Sequence, residues 1–177
     1  MSKLSIQIKQ YADLSETEYA EIIALCSQSF KRDYSPYLKS FSNPTHVLGE
    51  YQNKLVSYVL WITRWLQIGE SPPLRTAYIE GLATDLDYRN KGFASQILKR
   101  AVSEIHDFDI AALSTGSQSF YARLGWRLWQ GPLFIRKDNE LVPTPDEHGV
   151  MVFSLPKTPP FDINAPLSIE WREIEPW

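Results

Sequence analysis

The stretch YIEGLATDLDYRNKGFA, residues 78–94, does most to limit what this chain can become. Its first half is apolar and aromatic enough to be a strand that ends near Asp85. Inside that run stands a carboxylate, Glu80, and a charge placed in a strand core needs a partner or a task. The second half passes through a turn and opens a helix at Arg89, Asn90, Lys91 and Gly92, where basic residues and a glycine replace the usual Ser or Asp cap. A helix start carries unpaired N–H groups and partial positive charge, so it favours phosphate. Gly92 removes the side chain that would block a close approach, Ala94 stays small, and Arg89 and Lys91 add charge at the rim. Taken physically, the turn is a diphosphate cradle. Neither GxxxxGK[ST] nor GxGxxG is present, so it is not a P-loop or a dinucleotide fingerprint. A solvated helix start with no ligand has the same spacing, so the surrounding elements must decide.

Those elements can be read in order. LSIQIKQ (4–10) alternates as a half-buried strand, and Ser15 with Glu18 gives a capping box ahead of the apolar stripe Tyr19, Ile22, Ile23, Cys26. Cys26 on that stripe reads as a core filler, since no activating partner stands near it in sequence. Residues 31–44, rich in turn formers and rings, read as a loop or broken helix over a cleft. HVLGEY and KLVSYVLWITRWLQI form two antiparallel strands around Gln52-Asn53, the second apolar on both alternations and so covered on both faces. LRTAYIEGLATD is a strand, and 92–105 a helix with Phe93, Ala94, Ile97, Leu98, Ala101 and Ile105 turned inward. DIAALS is a strand, SQSFYARLG a short helix closed by Gly125, and WRLWQGPLFI and VMVFSL are strands. LPKTPPFDINAP connects to a terminal strand. Strands and helices so mixed predict an α/β fold around a mixed sheet, within one domain spanning 1–177.

Composition excludes several classes. A formal charge of −3 lacks the footprint of a general nucleic-acid binder. The single cysteine excludes an internal disulfide, and His46, His106 and His148 lack metal-ligand spacing, so no metal is expected. The N-terminal MSKLSIQIKQ has no apolar leader and no run approaches a membrane span, so a cytoplasmic protein with no membrane partner is expected.

RNKGFA matches the pattern Arg/Gln-x-x-Gly-x-Gly/Ala, and FYARLGW follows it on the next strand–helix pair. In this order they resemble the GNAT superfamily of N-acetyltransferases. YIEGLA, ALS, FYARLGW, WQGP, TPDEHGVMVF and the closing EWREIEPW are similar to the aminoglycoside 2′-N-acetyltransferases over about residues 75–177, and the earlier part is similar only loosely. The resemblance implies a GNAT fold, a central mixed, mostly antiparallel twisted sheet flanked by helices. It implies acetyl-CoA as cosubstrate, held by Leu82, Ala83 and Thr84 through backbone pairing with the pantetheine arm, and by Arg89, Asn90, Lys91, Gly92, Phe93 and Ala94 at the diphosphate.

It further implies Glu80 as the base that deprotonates the acceptor ammonium through water, a role that burial would favour by raising its pKa. Tyr121 falls on the tyrosine that returns a proton to the thiolate, and an ordinary Tyr, with pKa about 10, is protonated and able to donate. Acceptor binding falls to Asp33, Glu80, Gly81, Ser114, Glu175 and Trp177, the last through a terminal carboxylate, with Trp171 and Trp177 docking the tail. A second acid expected after Asp33 has no clear counterpart in SPYLKSF, and the loop from Ser114 to Tyr121 is short for the aminoglycoside group. The expected partner is a small-molecule amine, with a homodimer left open. Other small amines, a protein amine and a non-catalytic CoA-binding module are the competing readings.

Overall fold

The computed structural model describes residues 3–177 and divides into two compact units, one running to Ile62 and resuming at Ile79–Glu104, the other formed by Thr63–Tyr78 and Ile105–Trp177. Two long strands, β3 (Lys54–Ile68) and β4 (Leu74–Thr84), contribute to both. They are hydrogen-bonded neighbours joined by residues 69–73. So short a connection permits only an antiparallel pair.

The first unit begins with β1 (Ser5–Gln10), paired antiparallel with β2 (Thr45–Tyr51), which pairs antiparallel with β3. Helix α1 (Glu16–Phe30) starts on the expected capping box: the Glu18 N–H donates to Ser15 Oγ at 3.2 Å, and the Ser15 N–H to Glu18 Oε2 at 2.9 Å. Its buried residues are Ile22, Leu25 and Cys26. The stretch 31–44 is a broken helix as expected, with one short piece, α2 (Ser35–Ser40), carrying Pro36 in its first turn. Gln52 and Asn53, at φ +52° and +59°, make the tight β2–β3 turn, both in the left-handed region that such turns require. β3 is buried without a break from Leu55 to Ile62, as its two-sided apolar pattern demands, but beyond Ile62 the burial alternates and Thr63 and Trp65 are exposed, so the expected two-sided cover stops there. Helix α3 (Phe93–Glu104) buries Phe93, Ile97, Leu98 and Ala101, and Phe93 packs with Leu4 and Val56.

In the second unit β4 runs parallel to β5 (Ile110–Ser114) over three residue pairs, Thr76↔Ile110 to Tyr78↔Ala112. β5 pairs antiparallel with β9 (Val150–Ser154), and β9 with β6 (Arg127–Leu128). The short helix α4 (Gln118–Ala122) ends just before Gly125. β10 (Leu167–Glu170) lies antiparallel to β3 at Leu66–Ile68 and parallel to β7 (Leu133–Lys137), which pairs antiparallel with β8 (Glu140–Pro143). The sheet pairings are thus mixed and mostly antiparallel. No helix among the described residues is long and apolar enough to cross a membrane.

Two expectations change here. WRLWQGPLFI is not one strand: it breaks into β6 and β7 around residues 129–132. The chain leaves β9 after Trp129, whose N–H still donates to the Val150 carbonyl at 2.9 Å: the Gln130 and Gly131 N–H groups turn to the Ile163 carbonyl at 3.0 and 3.2 Å, and Pro132 has no N–H to give a ladder. The β7–β8 hairpin was not anticipated. Asp138 and Asn139, at φ +50° and +65°, form its turn, the same chemistry as Gln52-Asn53.

Candidate functional site

The turn after β4 is built before any ligand reaches it. Asp85 is buried, accepts the Asp87 N–H at 3.0 Å, and pairs with Lys54 at 2.7 Å, which holds its carboxyl below the usual range. That fixes the single 3-10 turn Leu86–Tyr88. Lys91 Nζ donates to the Asp87 carbonyl at 3.1 Å and lies 4.5 Å from the Tyr88 ring, so its charge is held over the turn. Arg89 Nε reaches the Thr84 carbonyl at 3.4 Å. Asn90 sits at φ +62° and Gly92 at +77°. The Gln96 N–H bonds to the Gly92 carbonyl at 3.1 Å, so Gly92 stands just ahead of α3 and the N–H groups before Gln96 lie outside the helical ladder. Arg89, Asn90, Lys91 and Gly92 are exposed, Phe93 is buried in the core, and Ala94 is half-buried. A Cβ on Gly92 would meet nothing nearer than Gln96 Nε2 at 3.9 Å, so the space beside it is open. These residues fit a diphosphate: donors, cations and no obstructing side chain.

Upstream, Ala83 and Thr84 are tied down through their carbonyls, which accept from Ser57 Oγ at 3.2 Å and Ser29 Oγ at 3.4 Å, and Leu82 is half-buried. The Thr84 carbonyl thus takes two donors, Ser29 Oγ and Arg89 Nε. Gly81 interrupts the strand at φ +66°. A Cβ there would stand 2.8 Å from the Tyr34 hydroxyl and 3.6 Å from Tyr58 Cε1, so glycine is required twice, for conformation and for space. Glu80, next to that kink, is half-buried rather than fully buried, so the burial expected of it is only partial. Cys26 is wholly buried behind it with Sγ 3.9 Å from the Gly81 carbonyl, and burial pushes its thiol far up. That suits a core residue, not a nucleophile.

Asp33 stands exposed at the start of α2, where one oxygen accepts the Ser35 hydroxyl at 2.6 Å and the Ser35 N–H at 2.9 Å, bonds that lower its pKa. Beside it runs a ladder of stacked rings that sequence reading passed over: Phe30–Tyr34 at 5.2 Å and Tyr34–Tyr37 at 5.6 Å. Its signal was present in the spacing i, i+4, i+7 of three rings.

The remaining predicted residues lie in the second unit. Tyr121 is buried in α4 with its ring edge-on to Phe120 at 5.0 Å and to Trp126 at 6.0 Å. Ser114 ends β5, and its hydroxyl donates to Glu147 at 2.8 Å, which also accepts the Gly149 N–H at 3.0 Å. In the tail Trp177 is docked, 8% exposed, with its indole donating to Thr144 Oγ1 at 3.0 Å. Trp171 does not dock: it is 45% exposed, with Lys137 4.6 Å from its ring. The tail is held instead by a residue that sequence reading missed, Arg64, whose bonds to Glu170 and Pro176 are taken up below. A lone Arg in the apolar run WITRWLQI was its signal.

With this geometry in place, likeness to known proteins can be weighed. The family profile "Acetyltransferase (GNAT) domain" matches residues 10–129, well over half of the chain. The chain belongs to the GNAT acetyltransferase family. A curated relative, the aminoglycoside 2′-N-acetyltransferase of Mycolicibacterium fortuitum, is 28% identical over 110 residues, 59% of this chain and 56% of that protein. The chain thus matches little more than half the length of that relative. Among solved structures, a GNAT family N-acetyltransferase (YhbS) from Escherichia coli in complex with CoA aligns at TM-score 0.68 and 17% identity, covering 97% of this chain and 91% of that one. An acyl-CoA N-acyltransferase from Pseudomonas aeruginosa aligns at TM-score 0.63 and 17% identity, covering 86% and 100%. At these identities the structures speak to the fold, and that fold is the one expected.

Proposed function

We propose that this GNAT acetyltransferase moves the acetyl group of acetyl-CoA onto an amine of an amino sugar, the 2′-amine of an aminoglycoside foremost. The observation that carries the cosubstrate is the pre-built turn at 89–94, where Lys91 is held over the turn and α3 opens on a glycine. The acceptor class rests on the partial likeness to the M. fortuitum enzyme and on the acids Asp33, Glu80 and Glu175. We read residues 1–177 as one such domain, working in the cytoplasm where acetyl-CoA is made.

In this reading Leu82, Ala83 and Thr84 pair with the pantetheine arm, and the turn at Arg89, Asn90, Lys91, Gly92, Phe93 and Ala94 takes the diphosphate. Glu80, through a water, accepts a proton from the acceptor ammonium. The free amine attacks the thioester carbonyl, the nitrogen sheds its surplus proton to water as the amide forms, the C–S bond breaks, and Tyr121 donates its phenolic proton to the departing thiolate and regains one from solvent. Gly81 and Ser114 border the acceptor, and Asp33, Glu175 and Trp177 bind its ammonium and sugar groups.

A second reading, another small amine or a protein amine as acceptor, is favoured by one observation. The Asp33 carboxylate already serves Ser35, and the acid expected after it has no clear counterpart in SPYLKSF. Incubation with acetyl-CoA and a panel of aminoglycosides, polyamines and peptides, read by thiol release, separates the two. Turnover of peptides or polyamines in preference to every amino sugar would overturn the first reading.

A further inference from the structure

Arg64 is a cation with 4% exposure in the middle of a strand flanked by Ile62 and Leu66. Buried arginines are rare unless they are paired, and here the pairing is unusual. Nε donates to Glu170 Oε1 at 2.6 Å, while Nη2 donates to the Glu170 carbonyl at 2.6 Å and to the Pro176 carbonyl at 3.0 Å. The guanidinium carbon lies 5.4 Å from the Tyr78 ring centroid. Glu170 Oε2 in turn accepts the Trp65 N–H at 3.0 Å. One planar fork therefore grips both the end of β10 and the penultimate residue of the tail, closing residues 170–176 into a loop.

Beyond Glu170 there is no helix or strand. The Trp171 N–H reaches the Arg136 carbonyl at 2.9 Å, Arg172 Nε bonds to the Glu175 carbonyl, and Glu175 stands at φ +45°, a conformation a glutamate seldom adopts. Trp171 is exposed, and the Trp177 indole adds a further anchor at Thr144. A lysine could keep the charge beside Glu170, but a single ammonium lacks the rigid fork that reaches both carbonyls in one plane.

We propose that Arg64 is a positioning residue for the acceptor: it latches the tail so that Glu175 and Trp177 are held in one place. This rests on the reading that Glu175 and Trp177 bind the acceptor, and the experiment keeps the two apart. Arg64→Lys is compared with the unaltered chain, and both are compared again after deletion of Glu175–Trp177. Hydrogen exchange of the peptide covering 171–177 and the KM for acceptor and for acetyl-CoA are measured. Loss of charge-assisted bonds to the tail predicts roughly tenfold faster exchange there and a roughly tenfold higher acceptor KM in Arg64→Lys. The KM for acetyl-CoA stays put, and the deletion background shows no further effect of the substitution. If deletion raises the acceptor KM but Arg64→Lys leaves the tail's exchange or the KM unchanged, the latch is overturned and the acceptor reading stands. If the deletion itself leaves the acceptor KM unchanged, the acceptor reading falls and the positioning role falls with it.

Discussion

Tyr121 shows how one atom can be isolated from the packing around it. Its ring meets Phe120 and Trp126 edge-on, so Tyr121→Phe keeps both contacts and removes only the hydroxyl. If that hydroxyl protonates the thiolate, kcat falls by about 10²–10⁴-fold with acceptor and acetyl-CoA KM little changed. Steady-state rates with both substrates varied check it, and full activity would pass the acid role to water. His46 offers a residue-scale test of stability. Its ring is fully buried, Nδ1 lies 2.7 Å from the Tyr58 hydroxyl, and burial lowers its pKa to about 4. In the unfolded chain the same group titrates near 6.5. As pH falls from about 6.5 toward 4 the unfolded state takes up a proton that the folded state refuses, so stability drops, by on the order of 3 kcal/mol across the window. Chemical denaturation at pH 7, 6, 5 and 4 should show this loss in the parent chain and a flatter curve in His46→Gln, since an amide cannot take up that proton. Equal slopes in the two proteins would remove His46 as the cause. Some of this scale was legible in sequence, such as an inert Cys26 on a helical stripe. The need for glycine at Gly81 was not, because it depends on Tyr34 arriving from the connection between α1 and α2.

Among the elements, the turn from Asp85 to α3 bears the sharpest expectation. Gly92 lies at φ +77° with open space where a Cβ would stand. Gly92→Val meets no clash, but a β-branched residue at positive φ costs roughly 1–2 kcal/mol, so the melting temperature should fall by a few degrees while the fold is kept. The branched side chain would also fill the space beside the α3 N-terminus, and CoA affinity should drop by about tenfold or more, since phosphate relies on backbone N–H groups there. Calorimetry below the lowered melting temperature decides it, with unchanged affinity as the outcome that sinks the cradle. Local signals served well where they were complete within a few residues: the Ser15–Glu18 box, the Gln52-Asn53 turn and the two-sided burial of β3 as far as Ile62 stand in the structure. They failed where a distant partner decided. Gln130 and Gly131 are drawn off β9 by the Ile163 carbonyl, far along the chain, and no window of sequence around WRLWQGP contains it. The Asp138-Asn139 hairpin was a different failure, since its turn signal was local and went unread.

At the scale of the whole molecule the question is charge. The chain carries 21 acids against 18 Lys and Arg, a formal −3. The segment EWREIEPW alone holds three glutamates against one arginine, and Arg64 is occupied with Glu170. The cations of the turn, Arg89 and Lys91, belong to the other unit. On the proposed reading the cations of the turn meet the polyanion CoA, and the exposed acids Glu173 and Glu175 meet a cationic acceptor. Fields between exposed charges weaken over about 8–10 Å at physiological salt, so ionic strength tests whether the acceptor is recognised through them. With acetyl-CoA saturating, to remove its own salt dependence, raising NaCl from low concentration to about 0.5 M should lower kcat/KM for a sugar with four or more ammonium groups by roughly tenfold. The same change should alter kcat/KM for a single-amine acceptor by less than about twofold, because one charge feels the field once. Replacing Glu175 by Gln should flatten the slope for the polyamino sugar and leave the single-amine slope alone. If kcat/KM for the best sugar substrate ignores salt, charge has no part in its binding, and the acids of the tail are then structural.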